Sequence, residues 1–328
     1  MSRINELRFI ARIAHMYYME GKRQSAIAAQ LHLSQATVSR MLKRAHDENI
    51  VRISLASPEG TYAEAEAALR RQYGLTEAIV VDCAEDRQGA IMSRIGEAAA
   101  HFLETTIQPG EVIGVSSWSQ TILKMIDNIH PMKQGKARSV VQLLGGLGNP
   151  SVQKHATQLT TRLAQLTGGE PLILSAPGVA ASREAKIVLL GDSYVRSTIE
   201  QFRNISLAVV GIGAIEPSQM LADSGNVFSE TELAQVTAGG AVSEISLRFF
   251  DAEGRDVKTP LDERVIGMTT EELRAVPRVI ALAGGQSKTA AIDAALKSGA
   301  LDILITDRFT AARLVGLPAE TQGAVAGL

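Results

Sequence analysis

The sequence has very little cysteine, few aromatic residues and no long apolar run. Cys83 is the single cysteine among 328 residues, which excludes an intramolecular disulfide framework and is typical of a reducing compartment. Apolar runs such as 207–215 are far shorter than the roughly 18 residues of a membrane-spanning helix, and residues 1–11 do not resemble a signal peptide. Hydrophobic residues make up 45% of the chain, enough for a sizeable core. These features predict a soluble cytoplasmic protein of about two domains.

The sequence also lacks a catalytic or metal-binding constellation. The six histidines are dispersed, and no pair has metal-ligand spacing. The segment 211–216 lacks the third glycine of a dinucleotide-binding fingerprint, and 285–289 lacks the glycine that precedes the lysine of a P-loop. Residues 114–118 do not form a nucleophile elbow. We therefore expect no catalytic residue, no metal and no cofactor.

The net charge of −2 hides an uneven distribution. Residues 1–55 contain 9 Lys and Arg against 4 Asp and Glu, whereas residues 56–328 contain 24 against 31. A basic segment on an otherwise acidic chain indicates that this segment binds a polyanion such as DNA. Chance clustering in a short segment is the alternative.

Residues 1–55 have the pattern of a winged helix-turn-helix. Apolar residues at helical spacing predict helices over about 4–19, 24–31 and 35–49, and the alternation in 50–55 predicts a strand that would form the wing. Ser34 is placed to cap the third helix, which would enter the major groove. An ordinary helical bundle with a basic face is the alternative. The candidate DNA-binding residues are Gln24, Ser25, Ser34, Gln35, Ala36, Thr37, Ser39, Arg40, Lys43 and Arg44.

These candidates divide by chemistry into base contacts and phosphate contacts. Arg40 suits the two acceptors of guanine, and Gln35 and Ser39 can reach base edges from the first turns of the helix. Lys43 and Arg44 are better suited to phosphates, which position a protein on DNA without reading its sequence.

Beyond a linker at 56–62, short continuous apolar runs alternate with helical stretches. Such runs are typical of strands that are buried on both faces, so we predict a mostly parallel, doubly wound α/β sheet with helices on both sides. Thr61 and Glu64 have the spacing of a capping box that opens the first helix. The run 244–250, followed by a turn at 251–254, predicts an antiparallel excursion. The predicted sheet strands are 78–81, 112–115, 140–144, 172–174, 207–212, 279–283 and 303–305.

Several of these strands end in loops rich in glycine or serine that lead into helices. The loops are 114–121, 145–148, 211–213 and 284–288. Ligands of open α/β sheets bind at the carboxyl ends of strands, and helix N-termini favour anions. Lys288 could hold a phosphate there. Each loop alone could be only a tight turn, but together they favour a phosphorylated ligand.

Ordered blocks along nearly the whole chain resemble the SorC family of sugar-binding transcriptional regulators. The blocks are 17–18, 24–28, 33–40, 113–116, 210–213, 250–254, 283–288 and 304–307. The resemblance implies an effector domain similar to phosphosugar isomerases. It also implies a dimer or tetramer, with homotetramer as the expected state. The affinity of this oligomer for operator DNA would change when a sugar phosphate binds.

The resemblance further implies which residues contact the effector. It assigns phosphate to the loop 116–121 and Lys288, and sugar hydroxyls to Glu244. The chain has Ser119, Ser206 and Glu244 where the family often has glycine and two aspartates, and the longer carboxylate of Glu244 could change the sugar accommodated. The full set of candidate effector-binding residues is Ser116, Ser117, Ser119, Thr121, Gly145, Gly146, His155, Gly213, Glu244 and Lys288.

We therefore expect a DNA-binding domain over 1–55 and a sugar-phosphate-binding effector and oligomerisation domain over 56–328. The expected protein is a transcriptional regulator of a carbohydrate or polyol operon, without a membrane partner and with repression as the working assignment. An active phosphosugar isomerase is the alternative, with Glu244 or Asp307 as the base. A constitutive DNA binder whose larger domain only oligomerises is the third possibility.

Overall fold

The computed structural model describes residues 3–51, 60–132, 135–147, 150–215 and 230–317, with only the backbone for 150–156 and 230. Contacts divide the chain into two compact units, Met1–Ala56 and Ser57–Leu328. Among the described helices, none combines the length and the apolar content that crossing a bilayer requires.

The first unit is a bundle of three helices around one small core. The helices are α1 (Arg3–Tyr18), α2 (Gln24–Leu31) and α3 (Gln35–Asp47), each within two residues of the predicted bounds. Ile10, Ile13, Ile27, Val38 and Leu42 pack together at the centre. The periodic apolar positions of the sequence are therefore the core positions of the bundle.

A three-residue turn separates α2 from α3, as a helix-turn-helix requires. His32 ends α2 in the left-handed conformation, with φ 54°. Ser34 is the N-cap of α3, and its Oγ accepts a hydrogen bond of 3.1 Å from Thr37 N, as predicted. The predicted wing strand lies almost entirely outside the described residues, because residues 52–59 are not described.

The second unit contains a large parallel sheet, a small antiparallel sheet and the helices that connect them. The helices are α4 (Ala63–Tyr73), α5 (Gln88–Thr106), α6 (Gln120–Asn128), α7 (Pro150–Thr167), α8 (Arg183–Gly191), α9 (Ser193–Glu200), α10 (Glu230–Ala238), α11 (Thr270–Arg274), α12 (Thr289–Lys297) and α13 (Arg308–Val315). Short 3₁₀ helices occupy Gln201–Asn204, Pro260–Glu263 and Gln286–Lys288. The strands are β1 (Glu77–Val81), β2 (Glu111–Val115), β3 (Ala137–Gln142), β4 (Glu170–Leu172), β5 (Leu207–Gly211), β6 (Ala241–Ile245), β7 (Arg248–Asp251), β8 (Asp256–Val257), β9 (Val279–Leu282) and β10 (Ile303–Asp307).

The seven-stranded sheet has the order β1-β10-β9-β5-β2-β3-β4, and all of its neighbouring strands are parallel. Each of the seven apolar runs singled out in the sequence contributes one of these strands. Along β5, Leu207 and Val209 pack in a core cluster with residues of α5 and α6, whereas Ala208 and Val210 pack in another with residues of α4 and α12. The doubly wound architecture is therefore confirmed.

The strand order reverses between β2 and β5. From β2 the chain continues through α6 to β3 on one side, and from β5 it continues to β9 on the other side. The loops after β2 and β5 therefore leave the sheet in opposite directions. In open α/β sheets this arrangement creates a crevice at the carboxyl ends of the two strands.

The predicted antiparallel excursion exists, but its run of 244–250 is two strands and not one. Strands β6 and β7 pair in antiparallel register and are joined by Ser246 and Leu247, with φ angles of 52° and 62°. Two-residue hairpin turns that need left-handed backbone at both positions usually contain Gly, Asn or Asp. The prediction of a single strand was wrong because Ser-Leu lacks this turn signal. In the structure, the burial of Leu247 in an apolar cluster helps to stabilise the turn.

The capping box predicted at Thr61 and Glu64 is also wrong. Helix α4 begins at Ala63, so its N-cap is Tyr62 and Thr61 lies one residue earlier. The hydroxyl of Tyr62 donates a 2.6 Å hydrogen bond to Asp82 Oδ1, so a tertiary contact fixes this helix start.

The carboxylate of Asp307 connects the end of β10 to the loop after β9. It is fully buried, with 0% exposure. Its Oδ1 accepts hydrogen bonds from Phe309 N and Thr310 N, both 3.0 Å, and caps α13. Its Oδ2 accepts from Thr310 Oγ1 at 2.6 Å and from Gly285 N at 3.2 Å. One side chain thus fixes a helix start and a loop of the neighbouring strand.

We expect Asp307→Ala to lower the free energy of unfolding by about 2–4 kcal/mol, because it removes a cap and breaks buried hydrogen bonds. The matched control is Asp192→Ala, which removes an exposed N-cap that accepts from Tyr194 N and Val195 N. That change should lower the free energy of unfolding by only about 1 kcal/mol. Urea denaturation of the two variants tests the difference, and equal losses would contradict the role given to Asp307.

Candidate functional site

A cavity of about 300 Å³ opens at the reversal of strand order in the second unit. We call it the switch-point cavity. It is formed by the loops after β2, β3, β5 and β9, the β6–β7 hairpin and the start of α5. Its lining residues are Gln88, Met92, Ser116, Ser117, Trp118, Ser119, Gln120, Thr121, Leu144, Gly211, Ile212, Gly213, Glu244, Ser246, Leu247, Ser287 and Lys288.

The loop after β2 supplies hydroxyl groups and a helix N-terminus to the cavity. Ser119 is the N-cap of α6, and its Oγ accepts from Ile122 N at 3.3 Å. Ser117 Oγ and Trp118 Nε1 are buried and have no hydrogen-bond partner among the described residues. Buried polar groups are normally paired, so these two groups beside the cavity are available to hydrogen-bond a ligand. With the dipole of α6, this loop can stabilise an anion.

Lys288 supplies the positive charge of the switch-point cavity. Its loop is held by the hydrogen bond from Gly285 N to Asp307 Oδ2, and its Nζ donates a 2.9 Å hydrogen bond to Ile212 O at the end of β5. Burial lowers the pKa of Lys288, and the negative charge of Glu244 opposes this shift. The ammonium is therefore partly desolvated, which strengthens its attraction for an anion.

Glu244 faces the same cavity from the β6–β7 hairpin. Its backbone forms two hydrogen bonds with Gly213, both 2.9 Å, which attach the hairpin to the loop after β5. Its Oε2 accepts a 2.9 Å hydrogen bond from Leu247 N. Burial raises the pKa of Glu244, while the Leu247 hydrogen bond and the charge of Lys288 lower it by less. The carboxyl group is a fixed acceptor for a ligand hydroxyl.

Glycine is required where Glu244 meets the loop after β5. A Cβ added at Gly213 would overlap the carboxylate of Glu244. Only glycine therefore allows this side chain to lie across the loop, which gives the predicted site residue Gly213 a steric role.

The structure brings most of the predicted effector residues together, leaves Gly145 and Gly146 apart from them, and does not describe the side chain of His155. Ser116, Ser117, Ser119, Thr121, Gly213, Glu244 and Lys288 line the switch-point cavity. Gly145 and Gly146 are not among the lining residues; Gly145 N donates to Ile266 O at 2.9 Å, and a Cβ there would overlap the backbone of Ala176 and Pro177. The side chain of His155 lies outside the described residues.

Ten lining residues were not among the predicted site residues. Five of them are Leu144, Gly211, Ile212, Leu247 and Ser287. Trp118 and Gln120 belong to the predicted loop and could have been included from their place in it. Ser246, whose Oγ lies 2.8 Å from Ser116 Oγ, comes from the unpredicted hairpin turn. Gln88 and Met92 come from α5, which no local pattern connects to the other loops.

Neither Asp307 nor Ser206 contributes to the cavity. The carboxylate of Asp307 is fully used as a buried cap, so it is not the base considered for an isomerase. Ser206 precedes β5, and its Oγ accepts from Val112 N at 3.2 Å. The cavity is at the opposite end of β5, so an aspartate at this position would not reach it.

In the first unit, the predicted DNA-binding residues lie along α2, α3 and the turn between them. Arg40 is exposed and extends along its own helix, with Nε 3.3 Å from Ala36 O. Arg44 forms a 2.6 Å ion pair with Glu6, which connects α3 to α1. Exposed positions are Ser25, Ser34, Gln35, Ala36, Ser39, Arg40 and Lys43, and half-buried positions are Gln24, Thr37 and Arg44.

The chain is similar to known transcriptional regulators over nearly its whole length. The family model described as "Putative sugar-binding domain" matches residues 58–316. The deoxyribonucleoside regulator of Bacillus subtilis is 31% identical over 92% of this chain and 95% of its own. The transcriptional regulator LsrR of Escherichia coli K12 is 30% identical over 93% of this chain and 94% of its own.

Full-length structural similarity agrees with these matches. The crystal structure of the sorbitol operon regulator SorC from Klebsiella pneumoniae aligns with a TM-score of 0.71 and 26% identity, covering 95% of this chain and 99% of that one. These relatives are transcriptional regulators and not enzymes, which favours the regulator over the isomerase. The chain belongs to the SorC family of sugar-binding transcriptional regulators.

Proposed function

We propose that this regulator controls a carbohydrate or polyol operon, and that a small phosphorylated sugar or polyol in the switch-point cavity changes its affinity for operator DNA. In this proposal residues 1–55 bind DNA and residues 56–328 bind the effector and form the oligomer. The observation that carries the proposal is the partly desolvated Lys288 ammonium beside a helix N-terminus in a cavity of about 300 Å³. The names of the deoxyribonucleoside and sorbitol operon regulators support a ligand related to sugars or polyols, while the phosphate is argued from Lys288 and the helix N-terminus.

In this proposal the phosphate of the ligand lies against Lys288 and the loop 116–121, and its hydroxyl groups lie against Glu244. Lys288 and the loop 116–121 provide a positive charge, hydroxyl donors and the dipole of α6 for the phosphate. Glu244 is an acceptor fixed by Gly213 and Leu247, suited to hydroxyl groups. Gly145, Gly146 and His155 stay as predicted secondary contacts.

We expect Lys288→Met to weaken binding of a sugar phosphate by about 10- to 100-fold, because a hydrogen bond to a charged group is lost. Trp118 is the only tryptophan in the chain and lines the cavity, so its fluorescence reports binding directly. The affinity of the wild type should also fall as the pH rises through the lowered pKa of Lys288, since the neutral amine no longer attracts phosphate.

The control is Lys297→Met at the end of α12, which removes a lysine that pairs with Asp293 outside the cavity. It should leave the affinity unchanged. Equal binding of the sugar phosphate and its unphosphorylated parent would contradict the phosphate assignment. In the same titration with operator DNA present, release of DNA would support repression relieved by the ligand, and tighter binding would contradict it.

The DNA-binding proposal separates a residue that reads sequence from one that only binds phosphate. We expect Arg40→Ala to weaken the free energy of binding to the operator by about 1–3 kcal/mol. The loss should come from the contact with one base pair, so specificity should be relaxed at that position only. Lys43→Ala should weaken binding to all sequences alike and reduce the salt dependence by about one phosphate contact. Fluorescence anisotropy on the upstream region and its single-base variants measures both effects. A uniform loss from Arg40→Ala would show that Arg40 contacts only the backbone.

We further propose a homo-oligomer, expected to be a homotetramer, that uses the exposed face of α8 and α9. None of the nine residues of α8 is buried, although all are described. Ile187, Val188 and Tyr194 are 63%, 74% and 77% exposed, which is unusual for clustered apolar side chains on a monomer. A second copy of this chain is the favoured partner, because helix-turn-helix proteins bind paired half-sites as symmetric dimers.

We expect Ile187→Asp to lower the mass of the oligomer, because a carboxylate would be desolvated in the contact. Ser93→Asp, an exposed site on α5, is the control and should not change it. Light scattering after size-exclusion chromatography measures the mass. A mass that is unchanged by Ile187→Asp would exclude this face from the assembly.

A further inference from the structure

The last turn of α3 is attached to α1 through two polar side chains that flank a buried alanine. Ala45 is fully buried in the core of the first unit. Its neighbours in the sequence, Arg44 and His46, both contact side chains of α1. Consecutive residues of a helix are about 100° apart, so Arg44 and His46 lie on nearly opposite flanks of α3. The helix is therefore connected to α1 on both flanks.

An ion pair forms the connection on the first flank. Arg44 Nη1 donates a 2.6 Å hydrogen bond to Glu6 Oε1, and Arg44 Nη2 lies 3.8 Å from Glu48 Oε1. The other oxygen of Glu48 lies 3.9 Å from Arg3 Nη2. The hydrogen bond and the charge of Arg44 lower the pKa of Glu6, so this carboxylate is ionised at neutral pH. The positive charge of Arg44 is thus compensated by two carboxylates of its own unit.

A tyrosine forms the connection on the second flank. The hydroxyl group of Tyr18 lies 2.7 Å from Nε2 of His46, which is a hydrogen-bond distance. The two rings pack edge to face with centroids 5.7 Å apart, and Tyr17 packs edge to face against Tyr18 at 4.9 Å. Tyr17 and Tyr18 form a block of the family resemblance to which the proposed function gives no role. Because Tyr18 is the last residue of α1, this contact joins the ends of the two helices.

The proposed base-reading face of α3 lies between these two flanks. It includes Ser39, Arg40 and Lys43, all of which are exposed. Apolar packing holds α3 in the bundle without a preferred direction, whereas hydrogen bonds are directional. A helix with its side chains has a radius of about 5–6 Å, so a rotation by about 20° would move the ends of its side chains by about 2 Å. Such a shift would break a bidentate contact between Arg40 and a base.

We propose that Glu6 and Tyr18 are positioning residues for DNA recognition, which fix the rotation of α3 about its axis and thereby the direction of Arg40. Arg44 acts through Glu6 and is not a phosphate contact, and His46 acts through Tyr18. This inference rests on the proposed DNA binding by the first unit and adds how the reading helix is oriented.

The hydroxyl group of Tyr18 is tested with Tyr18→Phe in the full-length protein. Fluorescence anisotropy gives the affinity for the upstream region and for DNA of unrelated sequence, and the ratio of the two affinities measures specificity. We expect Tyr18→Phe to lower this ratio about three- to tenfold, as for the loss of one hydrogen bond, and to leave the affinity for unrelated DNA unchanged. Equal losses on both DNAs would overturn the proposal, since a phosphate contact or a general loss of folding affects all sequences alike.

The matched control is Tyr17→Phe, which removes the same group from the neighbouring residue. The hydroxyl group of Tyr17 has no hydrogen bond within the described part of the chain, so this change should leave the ratio as in the wild type. A double-mutant cycle then tests whether Tyr18 acts through Arg40. In the Arg40→Ala background, Tyr18→Phe should change the ratio by less than about twofold. Additive losses would show that Tyr18 contacts a base by itself and would overturn its positioning role.

Glu6→Gln separates positioning from charge, because removal of a carboxylate by itself favours binding to any DNA. The positioning role predicts that the specificity ratio falls about three- to tenfold, as for the loss of one hydrogen bond. The control is Asp47→Asn, which removes the same charge from an exposed residue of α3 with no ion pair among the residues described. It should leave the ratio unchanged. A ratio that is unchanged or raised in Glu6→Gln would overturn the role of Glu6.

The salt dependence of binding tests Arg44. Arg44→Gln should lower the specificity ratio, but the slope of log affinity against log salt on unrelated DNA should stay unchanged, because carboxylates already compensate this charge. The matched variant is Lys43→Gln, whose lysine forms no ion pair in the described residues. It should reduce the slope by about one phosphate contact. An equal reduction by Arg44→Gln would show that Arg44 binds phosphate and would overturn this part of the proposal.

Failure of the proposed function has a different signature from failure of this inference. If the wild type binds its upstream region no more tightly than unrelated DNA, the proposed DNA recognition is wrong and the positioning role falls with it. If the wild type is specific and both Tyr18→Phe and Glu6→Gln keep its ratio, the proposed function stands and the positioning role alone is wrong.

Discussion

The buried carboxylate of Asp307 is the interaction on which the positive side of the cavity depends. A carboxylate with no exposure would be unfavourable without partners. Here the donors come from α13 and from Gly285 N in the loop after β9. The stability of α13 and the position of Lys288 therefore depend on the same carboxylate. Asp307, considered above as the base of an isomerase, instead has a structural role.

The negative side of the cavity depends on an unusual hairpin. Ser246 and Leu247 both have left-handed backbone, a conformation that such residues rarely adopt. The burial of Leu247 and its hydrogen bond to Glu244 offset this strain. Since the same hydrogen bond fixes the carboxylate, the strained turn and the orientation of Glu244 are inseparable.

The sequence was most informative where the signal is local. Continuous apolar runs predicted every strand of the parallel sheet, and the loop 116–121 and Lys288 follow from glycine, hydroxyl and lysine chemistry at strand ends. The order of the strands was not predicted, because pairing between distant segments leaves no local pattern. Gln88 and Ser246 were missed for the same reason, since only the folded sheet brings α5 and the hairpin turn to the cavity.

The hydrogen bond between Lys288 Nζ and Ile212 O has a consequence for how binding free energy is divided. A lysine side chain has several rotatable bonds, and restricting them on binding costs up to about 2 kcal/mol of conformational entropy. In this protein that restriction is imposed during folding, when the ammonium is directed to the carbonyl of the neighbouring loop. An ammonium has three N–H donors, so two are left for an incoming anion. The charged end of the cavity is thus pre-organised by folding, and recognition there requires little rearrangement.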